Sequence, residues 1–227
     1  GYSVPIDKRM QLNELDKHNW SGYRANRNKW KQELAFIYKT NLIGVDKVYE
    51  VFYGDFKPFP RSPLVMEFTF NEQEIVIINN HFKAMPGTKN EVRRRNAAIK
   101  LDEYIINEHS EKNVILLGDL NDKLTDAAPE NVFTTFLDKP DEYKFVDLEI
   151  AKNDSADWSY PYWKYRGHID HILISNELYD EYENADSIVK VITIDKFMEG
   201  GGDTRYKYIT DHRPVVMKLQ FPEIQKK

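Results

Sequence analysis

The chain has 227 residues, a formal net charge of −5 and no cysteine, so disulfides, thiolate metal sites and cysteine nucleophiles are excluded together. Its acidic balance argues against a protein that coats nucleic acid or anionic membrane nonspecifically, because that needs a broad basic surface. A hydrophobic share of 41% is ample for the core of one domain, no repeat or low-complexity tract divides the chain, and no apolar run reaches the ~20 residues of a transmembrane helix.

Residues 1–31 are polar, with Met10, Leu12, Leu15 and Trp20 as anchors but no persistent period, and are read as an irregular amino-terminal segment. The core of a single domain is expected over 33–221. ELAFIYK (33–39) is a short apolar run fit for a buried strand, and DKVYEVFY (46–53) alternates like its hairpin partner. In PLVMEFTF, residues Leu64, Met66, Phe68 and Phe70 share one face at period two. The turn-like Asn71-Glu72 then leads into QEIVIINNHF, which predicts an antiparallel pair. Over 91–109, Ala98, Leu101 and Ile105 fall at helical spacing, with Ile106 widening the stripe. VILLGD (114–119) is too short for a helix and reads as a strand buried on both faces. A short helix near 131–138 leads to KFVDLEI, MEGGGDTRYKY (198–208) reads as a flexible loop, and HIDHILIS and PVVMKLQF are the last two strands. Paired strands with few helices indicate an α+β fold, two mostly antiparallel sheets packed face to face with helices outside.

Four polar clusters stand at the ends of apolar runs: Asn79-Asn80-His81, Asp119-Leu120-Asn121-Asp122, His168-Ile169-Asp170-His171 and Thr210-Asp211-His212. Singly, each is ordinary turn or cap chemistry. Together they hold the groups that metal-assisted attack of water on a phosphate ester requires. Carboxylates hold a hard cation, the cation polarises phosphoryl oxygens, and imidazole or amide groups donate to the charge that builds there. Asp119, Asp170 and Asp211 would repel an anionic phosphate until a divalent cation inverted the local field. His18 and His109 lack such neighbours and are read as structural or surface residues.

These motifs resemble the endonuclease/exonuclease/phosphatase superfamily, which includes deoxyribonuclease I, abasic-site endonucleases, bacterial sphingomyelinases and inositol polyphosphate 5-phosphatases. ELAFIY, INNHF, ILLGDLND, HIDHILIS and TDHRPV resemble five family strands in order, from about Glu33 to Phe221. The resemblance implies a four-layer α/β/β/α sandwich and a phosphoesterase dependent on Mg²⁺ (or Mn²⁺ or Ca²⁺). It further implies Asp119 as general base, Asn121 holding water and a phosphate oxygen, His212 and His81 on the phosphate, Asp170 orienting His212, and Asp211 beside the metal. A phosphodiesterase or nuclease comes first, a lipid or inositol phosphate phosphatase is the near alternative, and an inactive binding module that keeps the fold is the alternative of another class.

Family members usually open with a strand carrying Asn and a second ending in Gln-Glu, whose Glu holds the metal. Neither is found here; Gln32-Glu33 opens the strand expected later. The expectation is a missing amino-terminal segment, and with it weak Mg²⁺ binding and self-association through an uncovered sheet edge. Gly1 at the start leaves room for a removed upstream signal and an extracellular or periplasmic location. Asn79, Arg93 and Trp163 are candidates for substrate contact: Arg93 belongs to the Arg93-Arg94-Arg95 run, which reads first as a solvated helix face and second as a phosphate contact, and Trp163 to WSYPYWKY, whose rings stack a base or lid the core.

Overall fold

The computed structural model describes residues 2–3, 19–26, 33–153, 157–161 and 166–221. In chain order its strands are β1 (Tyr2–Ser3), β2 (Trp20–Arg24), β3 (Ala35–Lys39), β4 (Gly44–Glu50), β5 (Leu64–Phe70), β6 (Gln73–His81), β7 (Asn113–Asp119), β8 (Tyr143–Phe145), β9 (Asp170–Ser175), β10 (Ile188–Val191) and β11 (Val215–Lys218). Its helices are α1 (Thr88–His109), α2 (Thr134–Leu137), α3 (Leu148–Ala151), α4 (Tyr179–Glu183) and α5 (Gly201–Tyr208).

Asn71 and Glu72 both take positive φ, 48° and 63°, the hand of turn that matches strand twist, and they join β5 to β6 in unbroken antiparallel register. A six-stranded sheet runs β4-β5-β6-β7-β9-β8. Only β6 and β7 are parallel within it, because α1 carries the chain back across the sheet between them. Side chains of alternate residues then divide between two cores. On one face Val65, Val76, Ile78, Val114 and Leu116 pack under Ala97, Ala98, Leu101 and Ile105 of α1. On the other, Leu64, Met66, Phe68, Ile75, Ile115 and Ile172 meet Phe36 of β3, Val189 of β10, and Val215 and Met217 of β11. A three-stranded sheet, β1-β2-β3, and the pair β10-β11 form this second layer. The architecture is the expected α+β sandwich, sheets face to face with helices outside. Among the described residues no helix is long and apolar enough to cross a membrane.

Several local expectations are corrected. The segment 1–31 is not irregular throughout, since β1 and β2 lie in it. WSGYR has no apolar period, and its strand exists through a residue-for-residue ladder with β3 and through Lys39 Nζ lying 5.0 Å from the centre of the Trp20 ring. Met10, Leu12, Leu15 and His18 lie outside the described residues. The run 46–53 does not pair with 33–39: β4 pairs with β5 in the large sheet, while β3 belongs to the second layer, for alternation marks a strand without naming its partner. β10 was not anticipated, being four half-exposed residues. The loop 198–208 is largely helix α5, entered through Gly200 in the left-handed region at φ 81°. Ile106 stands 44% exposed, off the buried stripe. As for edges, β4 carries Asp46, Lys47 and a bulge between Val45 and Lys47, and β8 has three residues; both features blunt strand addition to the large sheet.

Candidate active site

β6 and β7 end where β9 begins, and their register aligns the polar residues at that edge. His81 pairs with Asp119 in the parallel ladder, and Asp119 with Asp170 in the antiparallel one, so three strands present His81, Asp119 and Asp170 in one row. Gly118 permits this. Its φ is +136°, and a Cβ there would lie 1.9 Å from the Asn80 carbonyl oxygen, so only glycine lets the two backbones approach where they end. Asn121 follows at φ 55°; its backbone N–H donates to Asp119 Oδ1 (3.0 Å) and its side-chain amide to the Phe82 carbonyl (3.2 Å). The first bond closes the turn on the end of β7, and the second ties it to the residue after β6.

His212 closes the row from the segment ahead of β11. Its Nδ1–H donates to Asp170 Oδ2 (2.7 Å), which directs Nε2 toward Asp119 Oδ2 at 3.8 Å. His81 Nε2 lies 3.2 Å from that same oxygen. Asp170 is held in turn by Ser159, whose buried Oγ accepts from the backbone N–H groups of Ile169 and Asp170, and the Tyr160 ring lies 4.9 Å from that of His212. Of the aromatic loop's described part, Trp158 stacks on the Arg213 guanidinium, 3.4 Å from ring centre. Trp163 lies outside the described residues.

Burial and crowding set the charges. Burial first, then the Asp170 carboxylate, push the Asp119 carboxyl up to about 7, against the pull of His212 and the Asn121 N–H. Burial, with Arg61 and His212, takes His81 down to about 4, so it is a neutral donor at pH 7. For His212, burial opposes the charge, but the Asp170 hydrogen bond and the carboxylates of Asp170, Asp119 and Asp211 outweigh it and raise the ring to about 9. Imidazole NMR titration of metal-free protein should therefore find one ring near 9 and one near 4. Asp119→Asn should lower the first, because one of its stabilising carboxylates is gone.

Arg61 is the site residue that sequence reading missed. Burial lowers its pKa while Asp119 and Glu33 raise it, and its charge is felt by His81, which places it beside the row. Its one sequence signal is a charge in the proline-bounded FPRSP bend just ahead of β5. The run Arg93-Arg94-Arg95 is neither a solvated face nor a free phosphate clamp. Arg93 donates to the carbonyls of Phe56 (2.9 Å) and Lys57, Arg94 to those of Lys83 (2.8 Å) and Met85 (3.1 Å), and Arg95 to those of Pro129 and Asn131. Buried Arg94 also binds Asp122 Oδ2 at 2.8 Å. Three consecutive residues, splayed around the first half of α1, thus staple three loops to it. Asn79 donates to the Ala35 carbonyl (3.1 Å), a bridge from β6 to the second layer. Asp211 is exposed beside His212.

A sequence-family profile described as the Endonuclease/Exonuclease/phosphatase family matches residues 6–219. The chain belongs to this family. Solved structures with the same fold include D. rerio TDP2 complexed with a single-strand DNA product (14% identity, TM-score 0.64, covering 96% of this chain and 84% of that one). They also include the mannosyl-6-phosphatase of Bacteroides thetaiotaomicron (15%, 0.56, 95% and 82%) and the human Nocturnin catalytic domain with bound sulfate (14%, 0.59, 94% and 77%). Among curated proteins no sequence matches the chain.

Two acid and histidine groups among the described residues have the spacing of metal ligands. Asp119, Asp170 and His212 each offer an atom within 4.8 Å of the others, and so do Asp147, His168 and His171. The second group is a buried network already bonded to itself and to the main chain. Asp147 Oδ2 accepts from His168 Nε2 (2.8 Å) and His171 Nδ1 (2.7 Å), and His171 Nε2 donates to the Asp122 carbonyl (2.9 Å), so both its nitrogens face acceptors and the ring is a buried cation. Its pKa is accordingly raised: burial opposes the charge, and Asp147 outweighs it. The two carboxylates of the first group fit the hard divalent cation that this family's chemistry implies, because they stand close enough to oppose each other's ionisation, while cationic His212, donating to Asp170, is not a ligand.

Proposed function

We propose that this chain is a divalent-metal-dependent phosphodiesterase that hydrolyses nucleic acid by in-line attack of water. The observation that carries this is the register row of His81, Asp119 and Asp170, closed by His212. Asp119, its pKa near 7, is poised as a base at neutral pH, where an ordinary carboxylate is too weak. Asn121, pinned to Asp119 and to Phe82, orients the water. His212, cationic and held by Asp170, donates to a non-bridging phosphate oxygen, and neutral His81 and Arg61 donate beside it. Asp170 and Asp211 would hold Mg²⁺, which would supply neutralisation and polarisation of the phosphate. The fold shared with a TDP2 that holds single-strand DNA product favours nucleic acid over other esters.

The test is turnover of bis(p-nitrophenyl) phosphate with Mg²⁺, Mn²⁺ or Ca²⁺ and after chelation, beside p-nitrophenyl phosphate as the monoester. Chelator-sensitive hydrolysis of the diester is expected. No turnover with any of the three ions sinks the proposal, and turnover of the monoester alone makes the chain a phosphatase. Arg61→Ala should lower kcat/KM by roughly 10- to 100-fold, the worth of a hydrogen bond to a charged group at ~1.5–3 kcal/mol.

A further inference from the structure

An open groove of about 1190 Å³ runs along the first half of α1 and the loop 51–63. Four cations line it, Lys57, Lys89, Arg93 and Lys100, against two acids, Asp55 and Glu103. Lys100 is paired with Asp55 at 3.0 Å. The concentration of positive charge is unusual for a chain of net −5. Apolar groups interleave with it: Val92 (48% exposed) and Ile99 (39%), two helical turns apart on one face, with Phe56 (44%) opposite.

The groove and the catalytic row share a wall. Arg93 holds the loop 51–63 by the carbonyls of Phe56 and Lys57, and the far end of that loop delivers Arg61 to His81 and Asp119. Between them stands Lys83, two residues beyond His81, in the field of Arg93, Arg94 and Arg61. A basic path therefore leads from the reacting phosphate along α1. From Thr88 to Lys100 this wall is about 18 Å long at 1.5 Å per residue, room for about five stacked nucleotides at 3.4 Å each.

Resting on the phosphodiesterase reading above, we infer that this groove holds a single strand of nucleic acid leading away from the scissile phosphate, its backbone on Lys57 and Lys89 and its bases on Val92, Ile99 and Phe56. Alternating charge and apolar surface match a strand whose phosphates and base faces alternate. A duplex keeps those base faces stacked inside, and a bilayer presents a plane to side chains that line a recess.

Lys57→Glu/Lys89→Glu tests this, since both side chains are exposed and neither belongs to the catalytic row. In an Asp119→Asn background with Mg²⁺, fluorescence anisotropy of a labelled twelve-residue oligothymidylate should show affinity at least tenfold weaker. The slope of log K against log salt should shrink by about 1.4, for two single-strand phosphate contacts. In the otherwise native chain the double variant should hydrolyse bis(p-nitrophenyl) phosphate at the native rate, because that ester is too short to reach the groove. Unchanged oligonucleotide affinity and slope overturn the inference while leaving the phosphodiesterase reading intact. Absent diester turnover with a normal oligonucleotide effect strikes the reading and spares the groove. Lost binding to phosphatidylserine vesicles with unchanged oligonucleotide affinity overturns the inference in favour of a membrane.

Discussion

Asp119→Asn is expected to reduce kcat for a phosphodiester by about 10²- to 10⁴-fold, the usual contribution of a positioned base, with KM changed far less. Asparagine keeps the volume and still offers an oxygen to the Asn121 N–H, so the turn after β7 survives while the proton acceptor is lost. Stability should move the other way. The folded-state pKa of Asp119 is raised, to about 7 from an ordinary 3.8. Between those values the folded chain binds more protons than the unfolded one, so native stability falls as pH rises from about 4 to 7. The variant lacks this penalty, and its advantage in urea denaturation should be absent below pH 4, grow through that window and level off above 7. A site that holds an ionised carboxylate against burial and a neighbouring Asp170 gives up stability for reactivity. A variant that is inactive and also less stable at pH 8 would instead make Asp119 a structural residue.

How far the sequence showed this depends on which interactions are local. Period two in Leu64-Met66-Phe68 and the Asn71-Glu72 turn are local, and β5 and β6 follow from them. The alignment of His81 with Asp119 is not local, for it depends on α1 crossing over to make β6 and β7 parallel in one register. Motif spacing pointed to those residues, and topology brought them together. Arg61 left almost no trace, because a loop arginine in FPRSP looks the same whether it faces water or a buried carboxylate. Arg93, Arg94 and Arg95 were opaque for the complementary reason: their partners are main-chain carbonyls, which carry no residue identity. The same holds for β2 and β10, which are strands by virtue of the ladders they join.

Gly118→Ala should be the most damaging small substitution in the large sheet, costing about 2–6 kcal/mol. Overpacking typically costs ~1–3 kcal/mol, and a non-glycine residue forced into a sparsely populated backbone region costs ~1–3 kcal/mol more. Both apply here. The new Cβ would sit 1.9 Å from the Asn80 carbonyl oxygen and 2.9 Å from its carbon, with φ at +136°. Neither atom belongs to a flexible side chain that can swing aside, so β6 and β7 must separate where they carry His81 and Asp119. Against a typical total of ~5–15 kcal/mol, the urea midpoint should fall steeply, and the folded fraction should lose activity because the row is spread. Gly44→Ala in β4 is the control. It meets nothing within 4 Å and should stay within ~0.5 kcal/mol of the native chain. Equal stability of the two variants would mean that β6 and β7 do not approach this closely, and the alignment of His81, Asp119 and Asp170 would fall with it.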